Sequence, residues 1–159
     1  MKKLSHYDSA GRVAMVDVGG KEITMRTATA RAFVSMSSEV LKKLPNNPKG
    51  DPLEIARIAG ISAAKKTSDL IPLCHQIPLT HVALQFRTMQ DGIEITAKAA
   101  TAARTGVEME AMTAAAVAAL TIYDMTKALD KAIEIRQVHL VEKTGGKSGT
   151  YRRIAKAQK

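Results

Sequence analysis

Asp124 and Lys127 stand three residues apart near the end of a long apolar run, and Glu108 and Glu110 stand near its start. On a helix, a carboxylate and an ammonium at that spacing share a face. Such a pair can work as general acid and base, and it can equally be an ordinary ion pair within the helix. Either way Asp124 favours the charged form of Lys127. The lysine therefore suits charge stabilisation or proton donation, and the aspartate suits the base. Glu110 and Asp124 are fourteen residues apart, about 21 Å along a helix at ~1.5 Å per residue. One chain could hardly bring both to one reacting atom. Either the ligand is long, as a nucleoside triphosphate is, or sites are shared between subunits.

Two further groups invite chemistry. Lys143-Thr144-Gly145-Gly146-Lys147-Ser148-Gly149 is a basic glycine-rich loop. A phosphate-binding P-loop needs G-x-x-x-x-G-K-S/T between a strand and a helix. The first glycine would fall at Val141, and Tyr151–Ile154 has no helical pattern, so the motif fails. Backbone N–H groups with Lys143 and Lys147 still offer an anion site, against the alternative of a solvated loop. Cys74 and His75 are neighbours in an apolar segment bracketed by Pro72 and Pro78. Adjacent residues in an extended segment point to opposite sides, which disfavours a Cys–His nucleophile pair. His6, His75, His81 and His139 have no ligand spacing, and one cysteine cannot build a structural zinc site, so no metal is expected.

The elements that must position these groups read from periodicity. Gly106–Lys127, GVEMEAMTAAAVAALTIYDMTK, is one helix, apolar nearly all round, hence buried in a core or between subunits. Its charges then need partners or do chemistry, which makes it the back wall of a site. Arg12–Val18 is an edge strand or extended arm, Ile23–Met36 a strand, and Ser37 or Ser38 caps a short helix. Pro45–Gly50 is loop chemistry. Asp51-Pro52 starts a helix that runs to about Lys66, with Gly60 inside it as a place of close packing. Thr67–Pro78 reads as a loop. Thr80–Met89 and Ile93–Thr101 alternate as strands around a hairpin at Asp91-Gly92, and Ile93, Ile95, Ala97 and Ala99 share one face. Ile133–Val141 is a last strand, and the basic tail from about residue 150 is the part expected to fray. Strands and helices in this order predict one α+β domain over 1–159, with helices on one face of an antiparallel sheet.

Composition bounds the partners. A net charge of +9 and a sequence pI near 9.8 point to an anion: nucleic acid, a membrane surface or a phosphorylated small molecule. Two Phe, three Tyr and no Trp leave few platforms for stacking single-stranded bases, which argues against nucleic acid. A single cysteine fits a reducing compartment. The opening MKKLSHYDSAGR has no apolar stretch behind its lysines, so no secretory signal is expected. No apolar run reaches the roughly 20 residues that span a bilayer. A cytoplasmic protein without membrane partners is the expectation.

Four blocks in order complete the reading: Asp69-Leu70-Ile71-Pro72-Leu73-Cys74-His75, Gly106-Val107-Glu108-Met109-Glu110-Ala111, Ala119-Leu120-Thr121-Ile122-Tyr123-Asp124-Met125, and the lysine-glycine loop. With them the chain, from Met15-Val16-Asp17-Val18 to Gly149, resembles the cyclic pyranopterin monophosphate synthase family of molybdenum-cofactor biosynthesis. Gln76, where many relatives carry proline, and Thr126, where some carry cysteine, are small departures. The resemblance implies a ferredoxin-like fold and a homohexamer, a trimer of dimers with sites at subunit interfaces. It implies a cyclised dihydro-GTP, the 3′,8-cyclo compound, as substrate, pyrophosphate as co-product, and no redox cofactor. It implies that Asp124 and Lys127 are catalytic and that Leu73, Cys74, His75, Met109 and Glu110 line the substrate site. Lys49, Lys65, Lys143 and Lys147 are implied as further site residues. Two rivals stand beside it: an RNA-binding module using the basic loop and the Arg152-Arg153 tail, and a structural oligomer in which Asp124–Lys127 is only an ion pair.

Overall fold

Alternating small and apolar residues make one face of the central strands fit for burial, and that face carries the helices. The structure, a computed structural model, describes residues 6–8 and 10–154. Strand β1 spans Thr24–Ser35, followed by helix α1 over Ser38–Lys43, whose first turn is capped by Ser37 Oγ accepting from Val40 N–H. A short 3-10 turn occupies Leu44–Asn46, running into the segment read as loop. Helix α2 spans Pro52–Ala64, with Asp51 capping the N–H groups of Leu53 and Glu54. Helix α3, Thr67–Leu70, lies in the segment read as loop. Buried Thr67 turns its hydroxyl back onto the Ala64 carbonyl at 3.0 Å, closing the chain into one more turn.

Strands β2 (Leu79–Met89) and β3 (Gly92–Ala103) form the expected hairpin. Helix α4 spans Glu108–Thr126. Strand β4 covers Glu134–Thr144 and β5 covers Tyr151–Arg152. The sheet order is β2-β3-β1-β4-β5, and every pair is antiparallel. Setting β5 aside, a β-α-β-β-α-β order with β1 between β3 and β4 is the ferredoxin-like arrangement. Two expectations are corrected at the C-terminal end. The last strand runs three residues past Val141, so Lys143 sits on β4 opposite Ala28 and is not in a free loop. Tyr151–Arg152 pairs with Lys143 and Glu142, so the tail from 150 begins as an edge strand. Positions 155–159 lie outside the described residues.

The core shows why α4 is so rich in alanine. Ala28, Ala30, Ala32 and Val34 of β1 and Ile93, Ile95, Ala97 and Ala99 of β3 are buried on one sheet face. Ala111, Ala114, Ala115, Ala118, Ala119 and Ile122 bury against them. Small residues on both surfaces let helix and sheet axes approach closely. The other side of α4 packs on α2. There Gly60 has no room for a side chain, because a Cβ would stand 2.9 Å from the Ala114 carbonyl and 2.6 Å from Leu84. The helix is not buried all round, however. Leu120 is 56% exposed, Ile58 on α2 is 65% exposed, and the Asp124 end faces outward.

Candidate active site

The start of α4 meets two backbone segments around a cavity of about 360 Å³. Leu73, Cys74, His75, Met109 and Glu110 all line it, so five of the predicted site residues converge. The proline-bracketed turn presents the first three, tightened by the Cys74 N–H bonding to the Ile71 carbonyl at 3.0 Å. The first turn of α4 presents the other two. No side chain caps that helix start, so its free N–H groups and dipole favour negative charge there.

Glu110 is the chemical centre of the cavity. Only 4% of it is exposed, and its Oε2 has no hydrogen-bond partner. Burial, with help from the neighbouring Glu108 charge, raises its pKa from 4.5 to about 6. Burial and the Glu110 charge also push the Cys74 thiol up, which keeps the sulfur a poor nucleophile. A buried, unpaired carboxyl oxygen costs free energy until something binds it, so a ligand donor in the cavity has a waiting acceptor.

A carboxyl whose native pKa lies above 4.5 binds more protons folded than unfolded between the two values. Stability therefore falls as pH rises from about 4.5 through 6 and stays lowered above. The shift corresponds to at most about 2 kcal/mol, less to the extent that water in the cavity screens it. Glu110→Gln should thus melt higher than wild type at pH 8 and no higher at pH 4. Equal melting shifts at both pH values in a calorimetric scan would count against a strained carboxylate.

His75 Nε2 lies 2.8 Å from the carbonyl oxygen of Val16. A carbonyl only accepts, so Nε2 carries the hydrogen, and in that tautomer Nδ1 is an acceptor. This contact also fixes the role of the Arg12–Val18 segment. It is an extended arm rather than a sheet strand, and Val16, Val18 and Lys21 form part of the cavity wall. Neither the arm nor Thr105 and Glu108, which also line the cavity, stood among the predicted site residues. The carbonyl contact is backbone chemistry that leaves no mark in side-chain types. The signal for Glu108 was its place two residues before Glu110 at an acidic helix start.

Lys143 reaches the cavity wall through Glu108, its Nζ 3.5 Å from Glu108 Oε1 and hydrogen-bonded to Ser148 Oγ. Lys147 is exposed on the loop that follows β4. Lys65 is exposed at the C-cap of α2, outside the cavity lining. The remaining three candidates gather at the other end of α4. Asp124 Oδ1 and Lys127 Nζ are 2.6 Å apart, and both side chains are about half exposed. Hydrogen bonding to Lys127 lowers the Asp124 pKa, with Lys49 adding to it, and the same bond raises that of Lys127. Both groups are ionised across a widened pH range. Lys49 rims a smaller cavity of about 230 Å³ floored by Met125 and Leu129. Its loop is tied to α4 by Asn47 Nδ2 donating to the Met125 carbonyl at 2.9 Å. Among the described residues, no group of three or more His, Cys, Asp or Glu is placed to hold a metal ion, and no helix is long and apolar enough to cross a membrane.

The model of the MoaC family matches residues 15–146, which takes in both ends of α4 and every candidate side chain except Lys147. The chain belongs to the MoaC family. Similar MoaC-family proteins agree along almost their whole length. One from Novosphingobium aromaticivorans is 57% identical over 154 residues, covering 96% of this chain and 98% of its own. One from Geobacter sulfurreducens is 56% identical over 153 residues, covering 94% and 96%. A third, from Desulforapulum autotrophicum, is 54% identical over 155 residues, covering 95% of each. All three carry the name cyclic pyranopterin monophosphate synthase. In this chain the two groups of candidate side chains gather at opposite ends of α4, where Glu110 and Asp124 are about 21 Å apart at ~1.5 Å per residue.

Proposed function

We propose that this chain is a cyclic pyranopterin monophosphate synthase, a lyase that converts 3′,8-cyclo-7,8-dihydro-GTP to cyclic pyranopterin monophosphate and releases pyrophosphate. What carries the reading at the site is the orphaned Glu110 oxygen, set among His75, Met109 and Glu108 with its Lys143 partner, in a chain whose similar proteins bear that name. A purine-derived ring offers N–H donors that a buried carboxyl oxygen and the His75 Nδ1 can accept. The triphosphate needs cations as charge grows on the departing pyrophosphate; Lys143, paired with Glu108 of the cavity wall, and Lys147 on the loop after it would supply them. Lys127, an ammonium whose pKa the Asp124 hydrogen bond raises further, donates a proton or stabilises developing charge, and Asp124 takes the complementary part once ligand displaces the pair. Lys49 and Lys65 add positive charge for the same substrate.

The reading includes a site completed by a second copy. Asp124 and Lys127 are too far from Glu110 to serve the same reacting atoms within one chain. The exposed apolar side chains of Leu120 and Ile58 are surface that a partner subunit would cover. A homohexamer, a trimer of dimers with shared sites, meets both needs. The working unit is one domain over 1–159, acting in the cytoplasm, where the lone Cys74 stays reduced.

The test is turnover. Purified protein given the cyclised dihydro-GTP should release one pyrophosphate for each fluorescent pterin recovered after oxidation. An assembled, folded protein that leaves the substrate intact would move the RNA-binding alternative to the front, and its affinity would then fall steeply with salt.

A further inference from the structure

Arg26 lies on β1, outside the cavity lining, yet it touches the backbone on which two sides of the cavity depend. Its Nε donates to the Ala103 carbonyl at 3.0 Å and its Nη2 to the Arg104 carbonyl at 3.2 Å. Those carbonyls open the connection between β3 and α4, immediately before Thr105, Gly106 and Glu108 of the cavity wall. On its other side the guanidinium supports the glycine loop. Gly145 and Gly146 both have positive φ, 86° and 73°. A Cβ at Gly145 would stand 2.2 Å from the Met25 carbonyl, and one at Gly146 would stand 2.2 Å from Arg26 Nη1. The loop therefore lies directly on β1 and on the guanidinium, and only glycine permits that approach.

We propose that Arg26 is a positioning residue for the anion-binding side of the site. Its planar fork fixes the Gly145–Gly149 loop, which follows Lys143 at the end of β4, against the start of α4, and so steadies the approach of Lys143 to Glu108. Arg104 extends the same tie, its Nε donating to the Lys21 carbonyl at 2.9 Å, which links the arm to this connection. Three backbone segments around the cavity are thereby held in one register by two arginines. Lysine cannot replace Arg26, because an ammonium does not present two coplanar donors.

This inference rests on the synthase reading for its kinetic arm alone; pyrophosphate binding tests it independently. Wild type, Arg26→Ala and Gly146→Ala would be compared for KM and kcat with the cyclised dihydro-GTP, and for pyrophosphate affinity by calorimetry. Gly146→Ala keeps Arg26 but sets a Cβ against its guanidinium and strains the loop at φ 73°, so it disturbs the same contact from the loop side if Arg26→Ala fails to fold. The expected result is a KM raised roughly tenfold or more with a much smaller change in kcat, and a matching loss of pyrophosphate affinity. Millimolar guanidinium should restore part of the loss in Arg26→Ala and none in Gly146→Ala. Wild-type KM and pyrophosphate affinity in both folded variants would overturn the assignment, as would a fall in kcat with KM unmoved. If wild type itself does not turn over, the synthase reading fails, and pyrophosphate affinity alone decides the role of Arg26.

Discussion

Lys127→Ala should lower pyrophosphate release from the cyclised dihydro-GTP by about 10²–10⁴-fold, the range for losing a positioned acid or base, while oligomer size and melting hardly move. The dissociation between activity and stability follows from the geometry. The Asp124–Lys127 pair is about half exposed on both sides, and exposed ion pairs contribute little to folding. Neither side chain supports the core: the neighbours that do, Ile122, Met125 and Thr126, face inward. Asp124→Asn should behave similarly, because it removes the carboxylate that positions the Lys127 ammonium and the acceptor for its proton. Activity assays beside size-exclusion and melting curves decide the point. A structural ion pair would give the reverse pattern, with damaged assembly and unchanged chemistry per folded protomer.

Much of the architecture was legible because burial writes a period into the chain. Ile93, Ile95, Ala97 and Ala99 alternate in sequence and are buried together on β3. Asp51-Pro52 marks a helix start because a side-chain acceptor and a fixed φ suit that position. Ends were less legible. Lys143 and Thr144 lack the apolar pattern that marked β4, yet backbone pairing with Ala28 and Thr27 continues through them, and the Thr27 and Thr144 hydroxyls meet at 2.7 Å. Pairing of that kind depends on the neighbouring strand and leaves no local trace. The α4 sequence suggested complete burial because alanine reads as apolar on every side, whereas Leu120 is open on this chain.

The site divided in the same way. Leu73–His75 and Met109-Glu110 follow from the family resemblance, and they meet in one cavity because a proline-bracketed turn crosses the start of α4. The Val16 carbonyl that orients His75 is a backbone atom, so no residue type announces it. Arg26 sits among alternating strand residues as any exposed arginine would. Its grip on two carbonyls depends on a connection 77 and 78 residues away. The separation of Glu110 from Asp124, by contrast, was already fixed by counting along a helix.

Mixing two inactive variants tests that separation, and with it the claim that the site is built from opposite ends of α4 on two subunits. Lys127→Ala removes the exposed end. Glu110→Gln removes the buried carboxylate and, by relieving its strain, leaves the fold no weaker at pH 8. Each alone should be nearly inactive. If the two are unfolded together at equal concentration and reassembled, half of randomly formed dimers are mixed, and each mixed dimer holds one intact site beside one doubly altered site. Turnover should then recover to about a quarter of the wild-type value under the same treatment. Reassembled mixtures that stay as inactive as their parents, with mixed oligomers demonstrated by mass, would contradict the account and place all the chemistry within a single chain.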